Sequence, residues 1–237
     1  MQPKSLFWAG YRAAMPLMVG VAPFGVVFGA LAINAGMSPV QALGMSVLVI
    51  AGSSQFVAAG LMEDKAPMLI IIFTTFIINL RHFLYSATLN TFLRPLSTGW
   101  KLLLGYIMID EVYATAWKRY QNGDLPPKCF GWYFLGAGAS LISVWWTTTV
   151  LGAILGDVLH EDTVAILGFT MPLIFTSIVV SLLVTRPALA AAISAGVSGV
   201  IFAPMPNKLG LLLAAAIGII VGAVLEYAQH LPEEVAK

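Results

Sequence analysis

Eight apolar segments of about membrane length follow one another along this chain, and very little sequence lies between them. They run approximately over 13–34, 39–61, 67–93, 100–119, 130–156, 163–184, 187–204 and 209–228. A helix needs about 20 apolar residues to cross a hydrocarbon core about 30 Å thick. A closed barrel, the other backbone solution in lipid, needs short alternating strands that this sequence lacks. The expected fold is all-α: a polytopic membrane helix bundle of about eight transmembrane helices, forming one domain over 1–237. Turn and cap signals divide the segments, among them Asn34-Ala35-Gly36, Glu63-Asp64-Lys65 and Asn122-Gly123-Asp124. The segment 187–204 is short enough to read as a tilted or re-entrant element instead.

Composition agrees and excludes other classes. Hydrophobic residues make up 59% of the chain and charged residues 10%, with mean hydropathy +0.90. Soluble domains carry about 25% charge, so this chain cannot cover a water-facing globule. A net charge of +1 without a basic cluster argues against nucleic acid. The single Cys129 excludes an internal disulfide and a cysteine zinc site. No phosphate loop is present, and nothing calls for a cofactor or a metal. The first apolar run is too long for a cleavable leader. An N-terminus in the cytoplasm puts Lys4, Arg12, Lys65, Lys118, Arg119, Lys128, Arg186 and Lys237 inside. Only Arg94, Lys101 and Lys208 then fall outside, with the acidic loop Asp157–Asp162, as the positive-inside rule prefers.

Four segments carry a polar interruption at similar depth. In the first, "GVAPFG" sets Gly20, Pro23, Phe24 and Gly25 near mid-membrane. Pro23 removes a backbone hydrogen bond, so a broken first helix is expected, with freed backbone groups able to bind a small solute; a plain proline kink is the simpler reading. In the second, Ser53, Ser54 and Gln55 interrupt an apolar run. Gln55 needs a partner, supplied either by a polar cavity or by a neighbouring helix. In the third, Asn79, Arg81 and His82 stand in "FTTFIINLRHFLYSATLN". A central arginine costs on the order of 3 kcal/mol unless it meets an anion or snorkels to the headgroups. In the fourth, "IDEVYA" provides Asp110 and Glu111, and a short connection lets Arg81 and Asp110 meet as a buried pair. Such a pair is either a structural salt bridge or functional; intramembrane carboxylates are by default relays or ion partners. One midplane cavity accounts for all four, which is the signature of a solute transporter.

Two weaker patterns remain. Gly25–Gly29, Gly152–Gly156 and Gly218–Gly222 are small-residue pairs for close helix packing, within the fold or between copies. "AMPLMVGVAPF" and "TMPLIFTSIVV" both carry Met-Pro-Leu near a helix start, five spans apart. That spacing allows an inverted repeat of the kind that builds many transporters.

The chain resembles the AzlC family, the large subunits of bacterial two-component branched-chain amino acid exporters. The resemblance rests on "GVAPFGVVFG", "AGSSQFVA", "FIINLRHFLYSATL", "IDEVYA" and "LGFTMPLIFTSIVVSLL". The family often has threonine where Ile109 stands here. The resemblance implies a secondary transporter in the bacterial inner membrane that exports branched-chain or similar apolar amino acids. It also implies a small AzlD-like membrane subunit as partner. If protons drive export, the titratable candidates are His82, Asp110 and Glu111, while Gly20, Pro23, Phe24, Gly25, Ser53, Ser54, Gln55, Asn79 and Arg81 would bind substrate.

The competing readings are a channel-like or non-transporting membrane subunit and an intramembrane serine protease. A channel needs a ring of like side chains around an oligomer axis. The protease reading starts from "GVSG" at 196–199 but leaves His230, at the membrane end, as its base, and that geometry fails. The expectation is a membrane protein that is not an enzyme.

Overall fold

The computed structural model describes residues 2–123, 129–156 and 183–235, with isolated positions between 173 and 180. Among the described residues every regular element is helical. Helix α1 covers Pro3–Asn34, α2 Pro39–Leu48, α3 Gly52–Glu63, α4 Met68–Asn79, α5 Arg81–Thr88 and α6 Asn90–Leu93. Helix α7 covers Thr98–Tyr106, α8 Asp110–Gln121, α9 Phe130–Leu155, α10 Arg186–Ile201 and α11 Leu209–Val235. Most of the sixth apolar segment, Met171 and Pro172 of the Met-Pro-Leu echo and the acidic loop before it lie outside the described residues.

Two long helices form the centre. α1 and α9 run side by side, and the cause is the glycine spacing. A Cβ at Gly10 would strike the Tyr133 carbonyl, and one at Gly136 the Phe7 carbonyl. Further along, Gly29 lies on the Thr149 backbone and Gly152 on that of Val26. Lipid tails are as apolar as leucine, so helices in a bilayer associate through close packing rather than water exclusion. Phe28, Ala30 and Ala32 of α1 and Phe134, Ala137 and Leu141 of α9 are fully buried along this seam.

The expected break in the first helix is absent. α1 continues through both Pro16 and Pro23. Proline is tolerated inside a membrane helix where its neighbours and local adjustment re-satisfy the backbone. The interruptions lie elsewhere. The second apolar segment is split between α2 and α3, the third between α4 and α5, and the fourth between α7 and α8. Non-helical backbone at membrane depth survives only where protein or a cavity covers it.

The outer surface is apolar. Val19, Leu69, Phe83, Leu102 and Val200 are all largely exposed, as lipid-facing side chains are. Among the described residues four helical stretches are long and apolar enough to cross a membrane: Pro3–Asn34, Met68–Thr88 (α4 and α5 taken together across Leu80, whose backbone stays helical), Phe130–Leu155 and Leu209–Gln229. α10 has 16 residues, about 24 Å at 1.5 Å per residue, short of the hydrocarbon core. It packs on α11, where Gly218 and Gly222 lie against Ala195 and Ala191. All three GxxxG pairs therefore contribute to packing inside the chain.

Candidate functional site

The site is built from the three interruptions. Between α2 and α3 the chain turns at Ile50, whose φ of 45° is unusual for a β-branched residue. Gln55 secures that turn. Its Oε1 accepts from the Ala51 amide at 3.2 Å, and its Nε2 donates to Ser46 Oγ at 3.0 Å. Ser46 in turn lies 3.0 Å from Thr149 Oγ1 of α9. One glutamine thus joins both sides of the break and ties it to the central pair.

Between α7 and α8 the chain is extended at Ile109, the residue before Asp110. Asp110 and Glu111 occupy the first turn of α8, and Lys118 and Arg119 its last. Carboxylates at a helix N-terminus and cations at its C-terminus both complement the helix dipole. Between α4 and α5 only Leu80 separates the helices. There Nδ1 of His82 lies 3.0 Å from the Asn79 carbonyl. A carbonyl only accepts, so in this contact Nδ1 carries the hydrogen.

α5 delivers Arg81 to α8. Arg81 Nη2 stands 3.0 Å from Asp110 Oδ2. Tyr85, one turn further on, donates to Asp110 Oδ1 at 2.6 Å and stacks on Tyr113 at 4.4 Å between centroids. Asp110 is thus held from both oxygens. The Arg81 Nε–H is buried without a hydrogen-bond partner.

Two cavities meet at these breaks. The smaller has a volume of about 30 Å³, room for a water or two. Its polar wall is His82, Asp110 and Glu111, with the backbone of Ala51 and Gly52; its apolar wall is Val21, Ile50, Ile109, Ile142 and Trp145. The first residues of α3 and α8 and the second of α5 therefore converge on it. The larger, more open hollow measures about 330 Å³ and lies between the ends of α2, α4 and α7. Phe76, Asn79, Leu80, Phe83 and Met108 line it. Ile50 and His82 belong to both walls, so they stand at the partition.

A model of the family described as AzlC protein matches residues 16–159, from within α1 to beyond α9. The chain belongs to the AzlC family. Among relatives, it is 25% identical to the inner membrane protein YgaZ of Escherichia coli (strain K12), over 98% of this chain and 95% of that one. It is 26% identical to the branched-chain amino acid transport protein AzlC of Bacillus subtilis (strain 168), over 74% of this chain and 68% of that one. A membrane protein of Archaeoglobus fulgidus is 27% identical over 93% of this chain and 92% of its own length. No solved structure matches.

Within this AzlC-family chain the residues expected at the site divide into two groups. Arg81, His82, Asp110 and Glu111 come together, and Asn79 lines the adjoining hollow with its side-chain oxygen unpartnered. The others serve the framework. Gly25 abuts the Thr148 side chain, Phe24 stacks on Phe56 at 4.0 Å, and Gly20 and Pro23 lie within continuous α1. Ser54 Oγ donates to the Ala51 carbonyl of its own turn at 2.9 Å. Gln55 is fully buried and takes the interhelical bond rather than a cavity position. Ser53 is close to the cavity wall at Gly52, and its hydroxyl is buried without a partner.

Sequence reasoning missed Tyr85, Trp145 and the cavity's aliphatic wall. Tyr85 was within reach: it stands four residues after Arg81, hence on the same helix face. Trp145 and Ile142 lie in an apolar run that carries no signal of its own.

Proposed function

We propose that this membrane protein is a secondary transporter that exports branched-chain or similar apolar amino acids. Export is coupled to protons and requires a small AzlD-like membrane subunit. The observation that carries the reading is the convergence of three half-helix starts on one cavity that also holds Asp110 and Glu111. Broken helices aim amide groups at an anionic end of a solute and offer acidic side chains or carbonyls to its cationic end. An amino acid zwitterion has both ends, and the aliphatic wall suits an apolar side chain.

The two volumes support a carrier over a pore. A cavity of about 30 Å³ cannot hold an amino acid, whereas the hollow beside it, about 330 Å³, can. The partition at Ile50 and His82 has to open for a solute to pass. Alternation between such states is what a carrier does.

On this reading the chain crosses the bacterial inner membrane eight times with its N-terminus inside, following the lysine and arginine distribution. An inverted repeat relates its first and sixth spans. Arg81 balances Asp110, and His82, Asp110 and Glu111 carry the coupling proton.

The test is efflux of labelled leucine, valine and methionine from cells with and without the chain and its small membrane partner. Wild type gives saturable, substrate-dependent efflux with counterflow. Arg81→Ala abolishes it while the protein still reaches the membrane, because removing one partner of a buried pair leaves the other charge uncompensated. Full export by that variant would overturn the reading. Asp110→Asn changes the pH dependence of efflux; an unchanged profile would remove coupling through that residue.

A further inference from the structure

Trp145 of α9 lines the small cavity with a hydrogen-bond donor that the framework leaves unused. It is 5% exposed, and its indole Nε1–H has no hydrogen-bond partner. Buried tryptophan N–H groups ordinarily find one. The ring is held in place: it stacks on Phe28 at 5.8 Å with 20° between planes, and Phe24 lies 5.9 Å away. It also meets the first turn of α3, because residue 52 is glycine. A Cβ there would come within 3.2 Å of the indole Cη2 and 3.3 Å of Phe24 Cε1. The benzene edge of a fixed indole thus stands beside the helix start whose first amides are free of intrahelical bonds, and the unpartnered N–H belongs to the same ring. Glu111 and Asp110 line the same cavity.

Resting on the transport reading above, we propose that Trp145 contacts the transported amino acid. Once the partition at Ile50 and His82 opens and the small cavity joins the hollow beside it, the indole N–H and the first turn of α3 at Gly52 take the solute carboxylate. The ammonium is held at Glu111 and Asp110, and the aliphatic side chain lies against Val21 and Ile142. This orientation separates the two charged ends of the zwitterion. It also makes α9 a participant in recognition as well as a framework helix.

The experiment compares two solutes that share the ammonium and the isobutyl group. Leucine has a carboxylate and leucinol a neutral alcohol. Uptake of each, labelled, is measured into inverted membrane vesicles from cells producing the small membrane subunit together with the full chain, wild type or Trp145→Phe. Phenylalanine keeps much of the ring packing and removes the donor. The expected result is a 3- to 10-fold rise (about one hydrogen bond) in the half-saturating concentration for leucine, with leucinol changed by less than about twofold. Equal shifts for both solutes, or none for leucine, would overturn the contact while leaving transport standing. Absence of saturable leucine uptake by wild type would overturn the transport reading and this orientation with it. Should Trp145→Phe fail to accumulate, Gly52→Ala gives the same readout. Its methyl group displaces the indole edge by a few tenths of an ångström and should raise the leucine value alone; equal or absent shifts again count against the contact.

Discussion

The α1–α9 pair and the three interrupted spans are drawn from the same apolar residues, yet they solve opposite problems. Along α1 and α9, glycines let one backbone lie against the other: Gly10 on Tyr133, Gly136 on Phe7, Gly152 on Val26. Each runs on as one helix, and Pro16 and Pro23, which lack an N–H, leave gaps in the ladder of α1 without ending it. In the other region the helices stop at mid-course, and the charged side chains and cavities gather there. Where backbones touch there is no volume to rearrange. Where helices end, unpaired amides and carbonyls need partners and gaps remain. On the transport reading proposed above, the difference makes α1 and α9 the rigid frame and the half-helices the moving, solute-handling parts.

Substitutions can break that comparison at either end. The largest effect is expected in the frame. Gly152→Leu drives a side chain into the Val26 backbone. Overpacking typically costs about 1–3 kcal/mol and more against backbone that cannot shift, so the variant should fail to accumulate in membranes, as read by immunoblot of the membrane fraction. Normal accumulation would show that the α1–α9 seam yields. A middle effect is expected at the site. Tyr85→Phe removes the 2.6 Å bond to Asp110 but little volume. A hydrogen bond to a charged group contributes about 1.5–3 kcal/mol, so leucine efflux should fall about tenfold or more with membrane levels unchanged. Unchanged efflux would make Tyr85 mere packing. The smallest effect is expected where a helical glycine meets nothing. Gly60 of α3 has no neighbour within 4 Å of a built Cβ. Gly60→Ala should stabilise the detergent-solubilised protein by up to about 1 kcal/mol through helix propensity, seen as a modest rise in melting temperature with efflux intact. A loss of efflux would mean that residue 60 is covered by something during transport.

The pairing of Arg81 with Asp110 was legible because charges in lipid are scarce and each needs a partner. The break points were not. The apolar segments 39–61 and 100–119 are each of membrane length despite their polar residues, so each reads as one helix. The signals were present at finer scale: Gly52-Ser53-Ser54 and Asp110-Glu111 are residues suited to helix starts. They were masked by the length rule for spans. Pro23 misled in the other direction, since proline disrupts a helix in water more readily than one held by neighbours in a membrane. Gln55 left two partners open, and only the position of Ser46 chooses between them.

The sequence alone determined that the chain lives in lipid, that its elements are helices, and that a few polar side chains near mid-membrane must find one another. Those conclusions follow from local quantities: transfer free energies, backbone hydrogen bonding and the cost of an isolated charge. Which polar residue meets which, where the helices break and which tryptophan faces the cavity depend on contacts between residues far apart in the chain. Thr149 meeting Ser46, or Trp145 meeting Gly52, is set by how α9 packs, and no single segment carries that information.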